Sequence, residues 1–414
     1  MSNAAPGAAP NPLDPAFFDP NDPWYGFNPS KRDPVVRDNP WPRLNALREA
    51  LPVHRTPIGY WRILRHADVV RVLRELPCGV RTTDGKLPGV DESTLPRRFM
   101  LMQDPPDHTR LRRLVSHAFT PPAIERLRTD IAALCESLID GVADRGEMDV
   151  IADLARPVPS TVICQMLGVP LQDRARFTDW TAQVTHLLAL ESLPTHVRDT
   201  AFAAAINLAQ YMTDLIEARR QDPGEDMLSL LIAAEEAGDR LSPEELLAQS
   251  VGLLVAGFET TIGLIGNGVR QLLLHPDQLA KLRARPELIE SAVEECLRFD
   301  GPIQATRRVL HADAEIGGHV IPKNTEVMLW LASAHRDPRV YDEPDRFDIE
   351  RAHKSHLAFG GGAHFCLGAH LARLETQLAI GTLVRRLPAL RLASDEIEWG
   401  RSLFRVLGRL PVTF

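Results

Sequence analysis

The 414-residue chain is poor in several things, and each shortage removes a class of function. Aromatic residues make up only 6%, which leaves no stacking platform for single-stranded nucleic acid. The 47 lysines and arginines are outnumbered by 55 aspartates and glutamates. With a net charge of −8 and no basic block, nucleic acid is not an expected partner. The five cysteines (Cys78, Cys135, Cys164, Cys296, Cys366) are odd in number and form no C-x-x-C pair. That argues against a disulfide framework or a zinc site, and a reducing cytoplasm fits best. No segment approaches 18 uninterrupted apolar residues, and the N-terminus lacks the basic-then-apolar order of a signal peptide, so no membrane anchor is expected.

What is present is ordinary globular composition, with 44% hydrophobic and 25% charged residues. Residues 1–42 hold ten of the 33 prolines and read as a tail or wrapping segment, with Trp24, Tyr25 and Phe27 available to pin it. From Pro42 the pattern turns helical through Leu44, Leu47 and Leu51. A strand is expected at Tyr60–Leu64, a loop over 79–99, and helices to about Leu310. A hairpin follows over Ala314–Pro322, then a buried strand over 325–331.

One helix stands out. Ser242, Pro243 and Glu245 form a capped start, and apolar periodicity runs to Leu274 before His275-Pro276 stops it. At 1.5 Å per residue such a helix is about 48 Å long, enough to cross the molecule. It carries Gly252, Gly257, Gly263, Gly266 and Gly268. Each glycine costs roughly 1 kcal/mol against alanine, which suggests close packing against something bulky and flat.

The most telling stretch is Phe359-Gly360-Gly361-Gly362-Ala363-His364-Phe365-Cys366-Leu367-Gly368. It delivers one cysteine to the start of a helix expected over about Leu367–Leu387. There the helix dipole and free N–H groups favour a thiolate. Gly362 and Gly368 would let the backbone pass close to a flat ligand or accept unusual dihedrals.

This run resembles the cysteine-loop signature of the cytochrome P-450 family, F-x-x-G-x-(H/R)-x-C-x-G. Phe359, Gly362, His364, Cys366 and Gly368 fall on its constrained positions. Upstream, Ala256-Gly257-Phe258-Glu259-Thr260 resembles the family's oxygen-activation motif, (A/G)-G-x-(D/E)-T. A hydroxyl at Thr260 can donate a proton or orient a water, and Glu259 can resupply protons from solvent. Aspartate is the commoner acid there, so the relay path stays open. Glu295 and Arg298 match E-x-x-R, which the family completes with a later arginine; Arg346 in Pro344-Asp345-Arg346-Phe347 is the expected one, and the three are read as structural. His108 and Arg112, four apart on one helix face, match H-x-x-x-R. With His364 and Arg308 they are the expected partners of the two haem propionates, Arg307 competing with Arg308.

The resemblance covers about residue 43 to the C-terminus, as one catalytic domain. It implies a mainly α fold with a smaller β-rich lobe and the long central helix lying over the haem. It implies a soluble, bacterial-type haem-thiolate monooxygenase in which Cys366 ligates the iron of haem b. Glu259 and Thr260 guide protons, and oxygen enters a C–H bond of a lipophilic small molecule. Electrons are expected ultimately from NAD(P)H, through a separate ferredoxin and reductase docking on the Cys366 side, where Arg110, Arg113, Lys354 and His356 would cluster. Monomer is the default. Pocket walls are expected from Leu101 and Met102, from Gly252, Val255 and Ala256, from Ile303 and Gln304, and from Leu403 and Phe404. Small residues at Gly252 and Ala256 would leave room above the haem. Alternatives are a peroxide-driven peroxygenase, which usually lacks the acid–alcohol pair, a nitric-oxide-reducing relative, which does without the acid, and a non-catalytic haem sensor or carrier.

Overall fold

Four helices position the site: α1 (Asp107–Ser116), α2 (Pro243–Leu274), α3 (Ile289–Asp300) and α4 (Ala369–Arg386). The computed structural model describes residues 38–56, 60–88, 98–185, 195–236, 241–352, 355–400 and 404–414.

The start of α2 is fixed by sequence-local chemistry. The Ser242 hydroxyl accepts from Glu245 N–H at 3.2 Å, and the Glu245 carboxylate accepts from Ser242 N–H at 2.9 Å. These bonds satisfy two otherwise orphaned donors, and Pro243 is pre-set for the first turn. Among the described residues α2 alone is long and apolar enough to cross a membrane, yet it lies in the protein core against α3 and α4. Its glycines mostly admit neighbouring side chains. An added Cβ at Gly252 would collide with the Phe99 ring, at Gly263 with Pro302 and Val406, and at Gly266 with Ile151. The flat partner expected from the glycine count is therefore largely the protein itself.

The β-rich part centres on a five-stranded sheet: β1 (Val53–Arg55), β2 (Trp61–Ile63), β3 (Cys78–Gly79), β4 (Thr306–Leu310) and β5 (Glu326–Leu329). Their order is β1-β2-β5-β4-β3, with β2 parallel to β5 and the other pairs antiparallel. One large apolar core surrounds α2, and a smaller one lies under the sheet.

Two expected boundaries move. Helical structure ends at Asp300 instead of running to Leu310, because Gly301 is extended before Pro302 and Thr306–Leu310 then joins the sheet. The strand expected over 325–331 stops at Leu329, since Trp330 opens the short helix Leu331–Ala334. The hairpin forms as Ala314–Ile316 and His319–Ile321. The first described helix, Trp41–Ala50, begins just inside the proline-rich segment. Trp24, Tyr25 and Phe27 lie outside the described residues.

Candidate active site

A cavity of about 990 Å³ lies between the middle of α2 and the loop that precedes α4. Cys366 is on its floor. The cysteine loop closes on itself through Cys366 N–H to Phe359 O at 2.9 Å and Phe365 N–H to Gly362 O at 3.1 Å. Gly362 has φ +67°, and an added Cβ would strike the carbonyl of Leu73, so its glycine answers the protein backbone. Gly368 instead faces open space on the cavity wall. Helix α4 starts at Ala369, two residues later than expected.

The Cys366 side chain is open to the cavity although it lies deep in the protein. Burial pushes its thiol up; a Gly368 backbone N–H and the charges of Arg112 and Arg373 pull the other way. Phe359 lines the same floor, with the Arg373 guanidinium stacked 4.5 Å from its ring centre.

Nitrogen-bearing side chains able to donate hydrogen bonds gather at one side of this floor. His108, Arg112, Arg308 and His364 all line the cavity. The His108 and His364 rings stand 4.2 Å apart, and burial, His364 and Arg112 together lower His108 to about 4. Burial also lowers Arg308. His364 Nε2 lies 3.6 Å from Asp104, whose carboxylate accepts from Val80 N–H at 2.9 Å and Arg81 N–H at 2.9 Å. Burial opposes ionisation of Asp104, but His364 and these N–H groups hold it at about 2. Arg307 is turned away, donating to Pro88 O at 3.0 Å. Of the two competing arginines, Arg308 is the one that reaches the cavity.

Above the floor, Thr260 and Ala256 face the cavity from α2, and the Thr260 hydroxyl donates to Ala256 O at 3.0 Å. Glu259 is half-buried and is not on the cavity wall. Leu101, Met102, Gly252, Val255, Ile303 and Phe404 line the cavity as expected. The room expected beside Gly252 is taken by the Phe99 ring. Gln304 is not a wall residue; its amide turns back to Gly301 O at 2.6 Å. Leu403 lies outside the described residues.

Glu295 and Arg298 pair through two contacts of 2.7 Å, both side chains nearly fully buried. The expected third member is wrong. Arg346 points to solvent and pairs with Glu343 at 3.0 Å, lending only its carbonyl, whereas Arg351 Nε reaches Glu295 at 3.2 Å. The expected basic cluster also thins. Arg110 pairs with Glu245 at 2.5 Å, and His356 is buried against Glu294 at 3.0 Å. Lys354 is outside the described residues.

One group was missed. Glu375 of α4 lines the cavity at 2% exposure. Burial raises its carboxyl to about 8, partly offset by a hydrogen bond with Thr261, the residue after Thr260. Burial thus favours its neutral, protonated form, which can donate. The available signal was an acid placed i+4 from Leu371 on the apolar face of an amphipathic helix.

A mainly helical chain with one cysteine under an apolar cavity and cations beside it fits the class of haem-binding oxidoreductases. The Cytochrome P-450 family model matches residues 79–390. The biotin biosynthesis cytochrome P-450 of Bacillus subtilis (strain 168) is 40% identical over 384 residues, 91% of this chain and 96% of that protein. The vitamin D(3) 25-hydroxylase of Pseudonocardia autotrophica is 43% identical over 385 residues, 91% and 94% of the two chains. The crystal structure of P-450BioI in complex with hexadec-9Z-enoic acid ligated acyl carrier protein superposes with a TM-score of 0.85. It is 37% identical and covers 92% of this chain and 100% of that one. The chain belongs to the cytochrome P-450 family and is a haem-containing monooxygenase.

Proposed function

We propose that Cys366 is the axial ligand of haem b and that the enzyme oxidises a lipophilic small molecule held under α2. That Cys366 and Thr260 line one and the same cavity carries this reading. The residues present fit haem: a soft sulfur donor at the floor, open space beside Gly368, and Arg112, Arg308, His108 and His364 for two propionates. Haem bound there supplies dioxygen binding and O–O cleavage, favoured by an electron-rich thiolate.

The chain's own residues handle protons and water. Thr260 commits its hydrogen to Ala256 O, so its oxygen is left to accept from a water in the cavity and hold it in place. Glu259, next to it on α2 but off the cavity wall, resupplies the protons. The walls formed by Leu101, Val255, Ile303 and Phe404 exclude bulk water and seat an apolar substrate. Electrons come from NAD(P)H through a separate ferredoxin-type donor that docks on the Cys366 side, in the cytoplasm. With a surrogate redox system, Thr260→Ala should release peroxide in place of product for most of the NADPH consumed. Unchanged coupling would remove Thr260 from the proton path.

A further inference from the structure

The Arg98–Met102 segment lines the cavity with five consecutive residues, and one side chain of α2 holds it there. Gln249, fully buried, donates from Nε2 to Arg98 O at 2.6 Å and accepts from Met100 N–H at 3.1 Å through Oε1. Both polar ends of the amide are thus spent on backbone groups flanking Phe99. Three residues on, Gly252 leaves the notch that the Phe99 ring fills, and Phe99 is 8% exposed. Beyond this point the segment is tied elsewhere: Arg81 Nε donates to Met102 O at 2.6 Å, and Asp104 is held by Val80 and Arg81 N–H groups. The α2 end of the wall hangs on Gln249 and the Phe99 seat.

We propose that Gln249 is a positioning residue for substrate selection: its two hydrogen bonds set how close the Arg98–Met102 wall stands to the cavity, and so which sizes of ligand fit. The proposal rests on the cavity above Cys366 being the substrate site. A buried amide bonded at both ends gives a wall of defined position, because releasing it leaves two backbone groups and the amide unsatisfied. Gly252 makes the same wall sensitive from a second direction, since any side chain there displaces the Phe99 ring without touching the amide bonds.

The test uses the haem-containing full chain as wild type, Gln249→Leu and Gly252→Ala. Amide exchange at Met100 should speed up by about ten-fold in Gln249→Leu, the equivalent of one lost hydrogen bond. Spectral titrations use imidazole, which needs little beyond the iron, and 4-phenylimidazole, which also needs the wall. Both variants should change the ratio of the two dissociation constants by about ten-fold, with the reduced carbon-monoxide spectrum unchanged. Equal exchange at Met100, or a ratio within two-fold of wild type in both variants (about 0.4 kcal/mol), would overturn the proposal. If Gln249→Leu fails to fold, Gln249→Glu, which keeps the acceptor for Met100 N–H but loses the donor to Arg98 O, is read by the same ratio. If wild type binds neither azole, the reading of the cavity fails and the role in substrate selection falls with it, while exchange at Met100 still reports whether Gln249 holds the wall.

Discussion

Arg405 Nε donates to Asp300 Oδ1 at 2.6 Å, and both side chains are 2% exposed. The second Asp300 oxygen accepts from Gln271 of α2 at 2.8 Å, and Arg405 stacks 4.0 Å over the Trp399 ring. Arg405 N–H also bonds Pro302 O at 2.9 Å. This buried pair joins the end of α3 to the segment carrying Phe404, so two cavity walls share one electrostatic tie. It also reaches the proline-rich N-terminal segment, through Arg405 Nη2 to Asp38 O at 3.1 Å.

Arg405→Leu leaves Asp300 as an unpaired buried charge and should cost about 3–5 kcal/mol in urea unfolding. Adding Asp300→Asn should recover a large part of that loss, because the stranded charge is gone. No recovery would mean that lost packing on Trp399, not charge, dominates.

The Glu295 network separates two arginines. Arg351→Ala should lower stability by about 1–3 kcal/mol, because it removes a donor from a buried carboxylate. Arg346→Ala removes only an exposed pair and should stay within about 0.5 kcal/mol. Thermal melts of the two variants side by side check this, and the reverse order contradicts it.

Much of this was legible in the chain. The α2 start was readable because capping is local, and the cysteine loop because its glycines are. Arg351 was not, since a motif names a residue type near Phe347 and only the folded path of residues 342–351 decides which guanidinium turns inward. Arg307 lost to Arg308 as the propionate candidate because neighbours in sequence face opposite ways once Thr306–Leu310 becomes a strand, and Gln304 left the wall because its amide turns back to Gly301 O. Glu375 escaped notice because its acidity depends on burial by α2, a partner more than a hundred residues away.

Glu375 gives stability a pH dependence. Its carboxyl sits near 8 in the folded protein against an ordinary 4.5. The unfolded chain therefore loses this proton first, and the contribution falls as pH rises from about 4.5 to about 8, then levels. Glu375→Gln should abolish that fall, on the order of a few kcal/mol, and melt higher than wild type at pH 9 while matching it near pH 5. Parallel melting curves at both pH values would rule out the buried acid.

Arg308 and Arg307 differ in reach. Arg308→Met should speed haem transfer to apomyoglobin several-fold, since it removes a buried cation from the cavity side. Arg307→Met should transfer at close to the wild-type rate. Transfer rates followed by absorbance distinguish them.

The most direct test of the account is the absorption spectrum of the dithionite-reduced, carbon-monoxide-bound protein, recorded with Cys366→His beside it. A strongly red-shifted Soret band in wild type that moves to the ordinary carbonyl-haem position in Cys366→His is the expected result. An ordinary band in folded wild-type protein, or a red-shifted band that survives in Cys366→His, would contradict thiolate ligation by Cys366.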